Sequence, residues 1–494
     1  MSGPRRGVHP LTADKISVEN LHDLDSPAEG GQFINSSTGN HGLLRLSAAP
    51  RAKAGEFSRL LAALAVSNME ADYWGAKVAG RGRLRRYIWW ARFDRRSVKL
   101  FIVAVVGAYG AVAVSSLPIF VNSWASHPGI SEQMAVEIAG INISAMAVGL
   151  FLSFFLAPRW PLPLVAFTGV GLAIIGDVSS LAVSEVAQLR ALRALEGMGV
   201  GCLIGATISW FGSHEQAARG FAIYIGIQMA IAVTLLTILP DINPGPNSLH
   251  LALLLFGIFC ASLCPFLGGA KPAANRVLGA AGVRGTQVLR VFSVLALGVF
   301  NFTAFGLWSC MLRFDQIAEP SGGLISQVAV WASLCAVAGA ALAILLSDRY
   351  GRFRPMMAGL GIYIMALVLF SWAQISLEII IVVLLLQSFA WALSVPYFQA
   401  VQAALDKTGN LAIWGSLAGW AGAASGAVLL VMTMAGSSYV NPIAITIFLL
   451  AGTWALCAGP AILVDLHENS LKRKRREGLP EVAPVPSGSV HSQL

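Results

Sequence analysis

Five ionisable side chains interrupt long apolar runs of the sequence, and these residues have the greatest potential for chemistry. They are Glu137, Asp177, Arg190, Arg193 and Glu196. A charged side chain inside a membrane-length run is costly unless it is paired or hydrated, so each needs an explanation. A buried carboxylate beside a moving arginine can gain or lose a proton, because the nearby positive charge favours the ionised form. The set predicts proton coupling by Glu137, Asp177 and Arg193, with Arg193 also able to meet a substrate anion.

A purely structural interpretation of the same residues stays open. Asp177 and Arg193 belong to consecutive apolar runs and lie at nearly equal depth, so they can form an ion pair between two neighbouring helices. Arg193 and Glu196 are three residues apart, which places them on adjacent positions of one helix face. Either pair would stabilise the helices without binding a substrate or exchanging a proton.

A second group of polar residues is neutral and lies mainly in the C-terminal half. Amides and indoles that line a cavity suit an aromatic or amphipathic organic solute. The alternative for the tryptophans is an anchoring role at the membrane interface. The predicted substrate-binding residues are Asn142, Arg193, Gln228, Asn301, Trp331, Gln387, Trp391 and Gln399.

The elements that must position these side chains are membrane-spanning helices. The chain has 494 residues, of which 56% are hydrophobic and 12% charged, and its mean hydropathy is +0.68. Soluble domains carry about 25% charged residues. Apolar runs of helical length recur from Leu100 to Val464, each long enough to cross a hydrocarbon core of roughly 30 Å. The sequence predicts an all-α integral membrane protein with twelve transmembrane helices.

Several classes of function are not supported by the sequence. The six cysteines are irregularly spaced without a C-x-x-C pair, so neither a disulfide framework nor a metal site is expected. None of the eight histidines lies in the middle of a run, so a histidine relay is not expected either. No phosphate-binding loop and no clustered catalytic residues are present. We therefore expect no cofactor and no enzymatic activity.

The charges of the short loops predict an orientation. With a cytoplasmic N-terminus, the inside loops contain nearly all of the loop arginines and lysines, whereas the outside loops contain almost none. This asymmetry is the positive-inside pattern. Cytoplasmic N- and C-termini also require an even number of spans. We expect a multi-pass protein of the cell inner (plasma) membrane.

The same patterns predict five segments. Residues 1–98 are expected to form a cytoplasmic tail, mostly disordered, with a basic and aromatic interfacial helix near 81–98. That stretch is interpreted as a membrane-surface element rather than a nucleic-acid or partner site. Residues 99–269 and 287–464 form two six-helix halves, joined by a cytoplasmic loop at 270–286. Residues 465–494 form a basic cytoplasmic tail.

One charged turn resembles a known family. The stretch "SDRYGRFRP" resembles the loop signature G-x-x-x-D-R-x-G-R-[RK] of the major facilitator superfamily. The matching residues are Asp348, Arg349, Gly351 and Arg352, and Ile344 replaces the leading glycine. The resemblance implies two six-helix pseudo-repeats and alternating access. It also implies that this motif is part of a cytoplasmic gate.

A second resemblance lies in the fourth span. The stretch "RALEGMGVG" fits the family pattern R-x-x-x-G-x-G through Arg193, Gly197 and Gly199, and Gly201 continues it. These glycines predict close helix packing, because a residue without a side chain lets a neighbouring backbone approach. In several family members the arginine at this position is tied to proton coupling.

The predicted function is secondary active transport of a small organic solute, with the proton as coupling ion and symport as the mode. Arg190 and Arg193, together with the neutral, tryptophan-bearing second half, favour an organic anion such as an aromatic acid. One alternative is an exporter of drugs or hydrophobic cations, which Glu137 and Asp177 would bind. An alternative of another class is a non-transporting membrane receptor with residues 1–98 as its signalling tail. The expected partners are the solute, the proton and the lipid bilayer, for a monomer that binds no nucleic acid.

Overall fold

The computed structural model describes residues 95–477 with several internal gaps. The gaps are 126–128, 184, 243–245, 268–285, 319–322, 373–376, 407 and 434–439. Every regular element in the described residues is helical. The helices are α1 (Arg95–Ser115), α2 (Leu117–Ala125), α3 (Glu132–Leu156), α4 (Leu162–Ser180), α5 (Val186–Gly212), α6 (Ala217–Ile242), α7 (Pro246–Leu263), α8 (Thr286–Ala318), α9 (Gly323–Leu346), α10 (Phe353–Trp372), α11 (Leu377–Leu405), α12 (Asn410–Thr433) and α13 (Val440–Arg476), and a short 3₁₀ turn at Cys264–Leu267 follows α7.

These helices account for the predicted number of spans. Within the described residues, 11 helices, α3 to α13, are long and apolar enough to cross a membrane. The first span is divided between α1 and α2, which are separated at Ser116. Pro118 explains the break, because proline has no amide hydrogen to donate to the preceding turn. The fold class expected from the sequence is therefore confirmed, with one interrupted helix that the sequence analysis did not predict.

The two halves repeat the same packing arrangement. In the first half, α5 packs against α3 and α4, and in the second half α11 packs against α9 and α10. The pair α1 with α6 corresponds to α8 with α12, and α4 with α7 corresponds to α10 with α13. Each half thus places its fourth helix between the second and the third. Side chains of the fourth helix that face these two neighbours are therefore buried.

Glycines allow the closest helix crossings. Gly197 and Gly201 of α5 lie where a Cβ atom would collide with the backbone of α3. A Cβ at Gly199 would lie 2.7 Å from the carbonyl oxygen of Gly169 on α4. In the second half, Gly422 of α12 lies equally close to the α8 backbone. The glycine spacing seen in the sequence corresponds to helix contacts that exclude any larger residue.

The halves contact each other through α6, which packs against α9 and α11, and also at one end of the bundle. We call this the basic end, since it contains the loops after α3, α5, α9 and α11, in which the loop arginines are concentrated. A Cβ at Gly212 would lie 2.8 Å from Cα of Gly409 in the other half. Close by, the Trp414 ring of α12 lies 6.1 Å from Phe151 and 5.5 Å from Phe154 of α3. These contacts join the halves at the basic end.

The tails are described only in part. The N-terminal segment up to residue 94, including most of the interfacial helix expected near 81–98, lies outside the described residues. The central loop expected at 270–286 also lies outside them, apart from Thr286 at the start of α8. At the C-terminal end, α13 does not stop near Val464 but continues to Arg476. The first part of the expected basic tail is therefore helical.

Candidate functional site

Arg193 is the centre of a buried ionic cluster in the first half. Its guanidinium has no exposed surface and donates from Nη1 to Oδ1 of Asp177 on α4, at 3.1 Å. The same nitrogen donates to Oε2 of Glu196, one turn along α5. Nη2 donates to the hydroxyl of Ser180 at 2.7 Å. One guanidinium therefore contacts two carboxylates, which combines both ion pairs considered from the sequence.

Asn142 of α3 completes this side of the cluster. Its amide nitrogen donates to the backbone oxygen of Arg193 at 2.9 Å and to Oε2 of Glu196 at 3.1 Å. The two bonds are possible because Gly197 brings α5 against the α3 backbone at Asn142. Asn142, expected as a substrate residue, is buried within the ionic cluster and contacts Glu196.

His250 of α7 adds an imidazole that the sequence analysis did not single out. Its Nδ1 lies 3.2 Å from Oδ1 of Asp177. Its Nε2 accepts a hydrogen bond of 3.4 Å from the indole Nε1 of Trp124 on α2. No local pattern points to His250, since it is a single histidine at the start of an apolar run. Only the packing of α7 against α4 brings it to Asp177.

The charges of this cluster do not balance when both carboxylates are ionised. Asp177 and Glu196 carry two negative charges and Arg193 carries one positive charge, which leaves one negative charge. Oδ2 of Asp177 is buried and has no hydrogen-bond partner among the described residues. An uncompensated buried charge is costly, and a bound proton removes it. The arrangement can therefore hold and release one proton.

An apolar layer covers the cluster on the side of α2. Trp124 is almost completely buried and packs edge to face on Phe120 at 5.5 Å. Ile138 of α3 and Leu249 of α7 belong to the same group of buried side chains. This layer separates the ionic cluster from the surface on the side of α2.

Glu137 does not join the cluster. Its carboxylate accepts a hydrogen bond of 2.7 Å from Nη2 of Arg190, and its side chain is 53% exposed. Exposed pairs of this kind contribute at most about 1 kcal/mol. Arg190 and Arg193, which both favoured an organic anion in the sequence analysis, thus each have a carboxylate partner within the protein.

The second half holds a neutral counterpart to the ionic cluster. The indole Nε1 of Trp391 on α11 donates to Oδ1 of Asn301 on α8 at 2.9 Å, and both residues are only partly buried. The Phe305 ring lies edge to face on Trp391 at 6.1 Å. Gln387, one turn before Trp391, donates its amide to the backbone oxygen of Ala304. Asn301, Gln387 and Trp391 thus come together between α8 and α11.

The other expected substrate residues lie elsewhere. Gln399 is buried and donates to Ser416 at 3.2 Å, joining α11 to α12. Gln228 of α6 donates to the Ser115 hydroxyl at 2.5 Å, next to the break in the first span. Trp331 is 60% exposed and shares its helix face with the exposed Leu334. The structure therefore does not bring it to Asn301, Gln387 and Trp391.

The charged turn after α9 binds within its own half. Arg352 is buried, and its Nη2 donates to Glu468 on α13 at 2.8 Å. Its backbone nitrogen donates to the Asp465 carboxylate at 2.9 Å, and Gly351 approaches the same carboxylate with a φ of +75°. Burial alone would lower the pKa of Arg352, but the contact with Glu468 outweighs it, and the pKa lies above its usual value. Arg352 therefore stays charged.

The motif expected to form a cytoplasmic gate makes its described contacts within the second half, and its gate role stays a prediction. The described contacts of Arg352 are with α13, which belongs to the same half of the fold. Asp348 is partly buried beside Arg352, whereas Arg349 is exposed. At the same end, the contacts between the halves include those of the Gly409 turn and Trp414.

Comparison with known proteins identifies the fold. No family model matches the sequence, and neither does any curated protein. A solved structure of a variant of the E. coli fucose:proton symporter FucP matches with 14% identity and a TM-score of 0.58, over 74% of this chain and 99% of that chain. FucP, a Major Facilitator Superfamily transporter solved in the outward conformation, matches with 13% identity and a TM-score of 0.56, over 75% and 99% of the two chains. The chain has the fold of the major facilitator superfamily.

Proposed function

We propose that this protein is a secondary active transporter that couples the movement of a small organic solute to protons by alternating access. The observation that carries the proposal is the buried cluster, in which two carboxylates share one guanidinium. The fold supports it, because the two matching structures described above are both of FucP, a fucose:proton symporter of the Major Facilitator Superfamily.

The proton site lies at Asp177 and Glu196. A proton on either carboxyl balances the charge of Arg193, and its release restores one unpaired negative charge in a buried place. The loaded and empty states therefore differ electrostatically, which is the difference that a proton gradient can use. Glu137 is left out of this site, because it is exposed and already paired with Arg190.

The solute site lies at Asn301 and Trp391, beside Phe305. A partly buried amide and indole offer hydrogen bonds next to an apolar ring, which suits a neutral polar or amphipathic molecule. The organic anion expected from the sequence depended on Arg190 and Arg193, and both arginines already hold carboxylates. A neutral solute is therefore the better-supported class.

The contacts at the basic end define the access state. Trp414 and Gly409 of the second half lie against the first half there, so we infer that the solute site is closed to that side. The positive-inside rule assigns the basic end to the cytoplasm. The structure then corresponds to a state in which solute and proton enter from outside.

The proposal can be tested in two stages. A thermal-shift screen of the purified protein against neutral polar solutes, carboxylates and lipophilic cations identifies a ligand. Proteoliposomes with an internal pH dye then report proton entry when that ligand is added. Asp177→Asn should abolish the dye signal while solute exchange across the membrane continues.

A matched pair of variants tests the solute site. Trp391→Phe should weaken ligand stabilisation, whereas Trp454→Phe, at an exposed tryptophan of α13, should not. Equal responses of the two variants would exclude the assigned solute site. Solute uptake without proton entry in the wild type would exclude proton coupling, and stabilisation by carboxylates or cations alone would exclude a neutral substrate.

A further inference from the structure

We propose that His250 is the proton sensor of the first half and that its protonation releases α2 from the bundle. The inference deepens the proposed function, on which it rests, by naming the group that couples proton binding to a structural change. It is carried by the two hydrogen bonds of the imidazole, one to Asp177 and one to Trp124.

The partners of the ring fix its protonation state. An indole Nε1 can only donate, so the Nε2 of His250 that faces Trp124 at 3.4 Å must accept and carries no hydrogen. A neutral imidazole carries its single hydrogen on the other nitrogen. Nδ1 therefore donates that hydrogen to Oδ1 of Asp177, 3.2 Å away. In this structure His250 is neutral, and both of its nitrogens are used.

A further proton can bind only at Nε2. The imidazolium then has a hydrogen on each nitrogen, and the Nε2 hydrogen points at the indole hydrogen of Trp124. Two donors that face each other repel, so the bond that holds Trp124 against α7 is lost. The bond to Asp177 becomes stronger, because it now joins two opposite charges. The proton comes from water, and no other bond is made or broken.

The surrounding charges act on this step in both directions, since Asp177 and Glu196 attract the added proton and Arg193 repels it. The charged or titratable groups near the imidazole are Asp177 of α4, Arg193 and Glu196 of α5, and Tyr109 of α1. With both carboxylates ionised, the cluster carries one net negative charge, which an imidazolium balances. Proton arrival at His250 thus neutralises the cluster and at the same time loosens its cover. The Nδ1 hydrogen can then pass to Oδ1 of Asp177, which leaves a neutral imidazole with its hydrogen on Nε2.

The helix α2 is built to move separately. It has 9 residues and is divided from α1 at Ser116, so its displacement does not have to bend a continuous helix. Trp124 is the most deeply buried aromatic side chain of α2, and its indole contacts His250 of α7. Phe120 packs on that indole. Loss of one hydrogen bond at Trp124 therefore acts on the whole short helix and opens the apolar layer above Asp177.

Hydrogen–deuterium exchange of the full-length protein in nanodiscs tests this inference without a known solute. Peptides covering α2 are followed between pH 8 and pH 5, corrected for intrinsic exchange rates, with peptides of α10 as internal reference. We expect the protection of α2 to fall about tenfold as the pH is lowered, the factor that corresponds to one lost hydrogen bond. The reference helix should not change.

Two variants identify the groups responsible. His250→Gln keeps one donor and one acceptor but cannot gain a proton, so the protection of α2 should become independent of pH. Trp124→Phe keeps an aromatic ring without the donor, and should also remove the pH dependence. His214→Gln is the matched control, because the His214 ring also packs on a tryptophan, Trp210, at the basic end. It should behave like the wild type.

The outcomes separate this inference from the proposed function. A wild type whose α2 shows no pH dependence, or a His250→Gln variant that retains it, overturns the sensor. A response to sodium at constant pH also overturns it, because a metal cation would then be the ligand. If α2 behaves as expected but proteoliposomes show no proton-coupled uptake, the sensor is supported and the transport proposal fails.

Discussion

The two halves of this molecule use the same helix arrangement for opposite kinds of chemistry. In the first half, the helix between its two neighbours, α5, carries Arg193 and Glu196 into a closed ionic cluster. In the second half, the equivalent helix α11 carries Gln387 and Trp391, which bind backbone and amide groups. A repeated fold thus fixes the place where polar groups are buried and leaves their charge to the local sequence.

The difference has an energetic meaning. A neutral amide that loses a partner leaves one unsatisfied group, whereas an ion that loses its counterion leaves an unpaired charge. The first half should therefore respond strongly to protons and to charge substitutions, and the second half weakly. This division suits a transporter in which the proton and the solute bind in different halves.

The largest effect is expected for Arg193→Met. The substitution leaves Asp177 and Glu196 buried next to each other without a cation, and we expect a loss of about 3–5 kcal/mol in the free energy of unfolding. Denaturant unfolding in detergent measures it. The triple variant that adds Asp177→Asn and Glu196→Gln should recover most of the loss. A single variant as stable as the wild type would contradict the ionic cluster.

The next effect concerns the charged turns. Arg352→Gln removes the charge that contacts Glu468 and Asp465, and should cost about 1.5–3 kcal/mol, the range for hydrogen bonds to charged groups. The turn after α3 offers the control, since exposed Arg159 donates to the carbonyl of Phe155 one turn away in its own helix. Arg159→Gln should leave the melting temperature unchanged. Equal losses would remove the distinction between these turns.

A smaller effect, common to both halves, is expected at the glycine crossings. Gly201→Ala places a methyl group against the α3 backbone, and Gly426→Ala places one against the α8 backbone. Each should lower the free energy of unfolding by about 1–3 kcal/mol, as overpacking does. Gly140→Ala is the control, because no atom lies within 4 Å of a Cβ at that site. A destabilised control variant would show that helix glycines act through something other than packing.

The smallest effect is expected for Glu137→Gln. The pair with Arg190 is exposed, so its loss should change the free energy of unfolding by less than about 1 kcal/mol, and added salt should reduce the difference further. Thermal unfolding at low and high salt measures this. A loss as large as that of Arg193→Met would return Glu137 to the group of coupling residues.

Much of the fold was predictable because its signals are local. Apolar length predicts each span, and the glycines of α5 predict close contacts, since both depend on residues within a few turns. An ion pair between Asp177 and Arg193 was one of the two interpretations left open by the sequence, because consecutive helices are neighbours. The break at Ser116 was missed, although Pro118 gives a signal for it.

The sequence alone determined that this protein is a bundle of membrane helices with charges that must be neutralised inside it. Those conclusions need only the composition of each run and the cost of burying a charge. The tertiary structure decided which groups neutralise them. Arg193 holds two carboxylates, and His250 reaches Asp177 from a helix 73 residues along the chain. Contacts between helices that are far apart in the sequence depend on how whole helix faces pack, and the spacing of residues within one helix does not predict them.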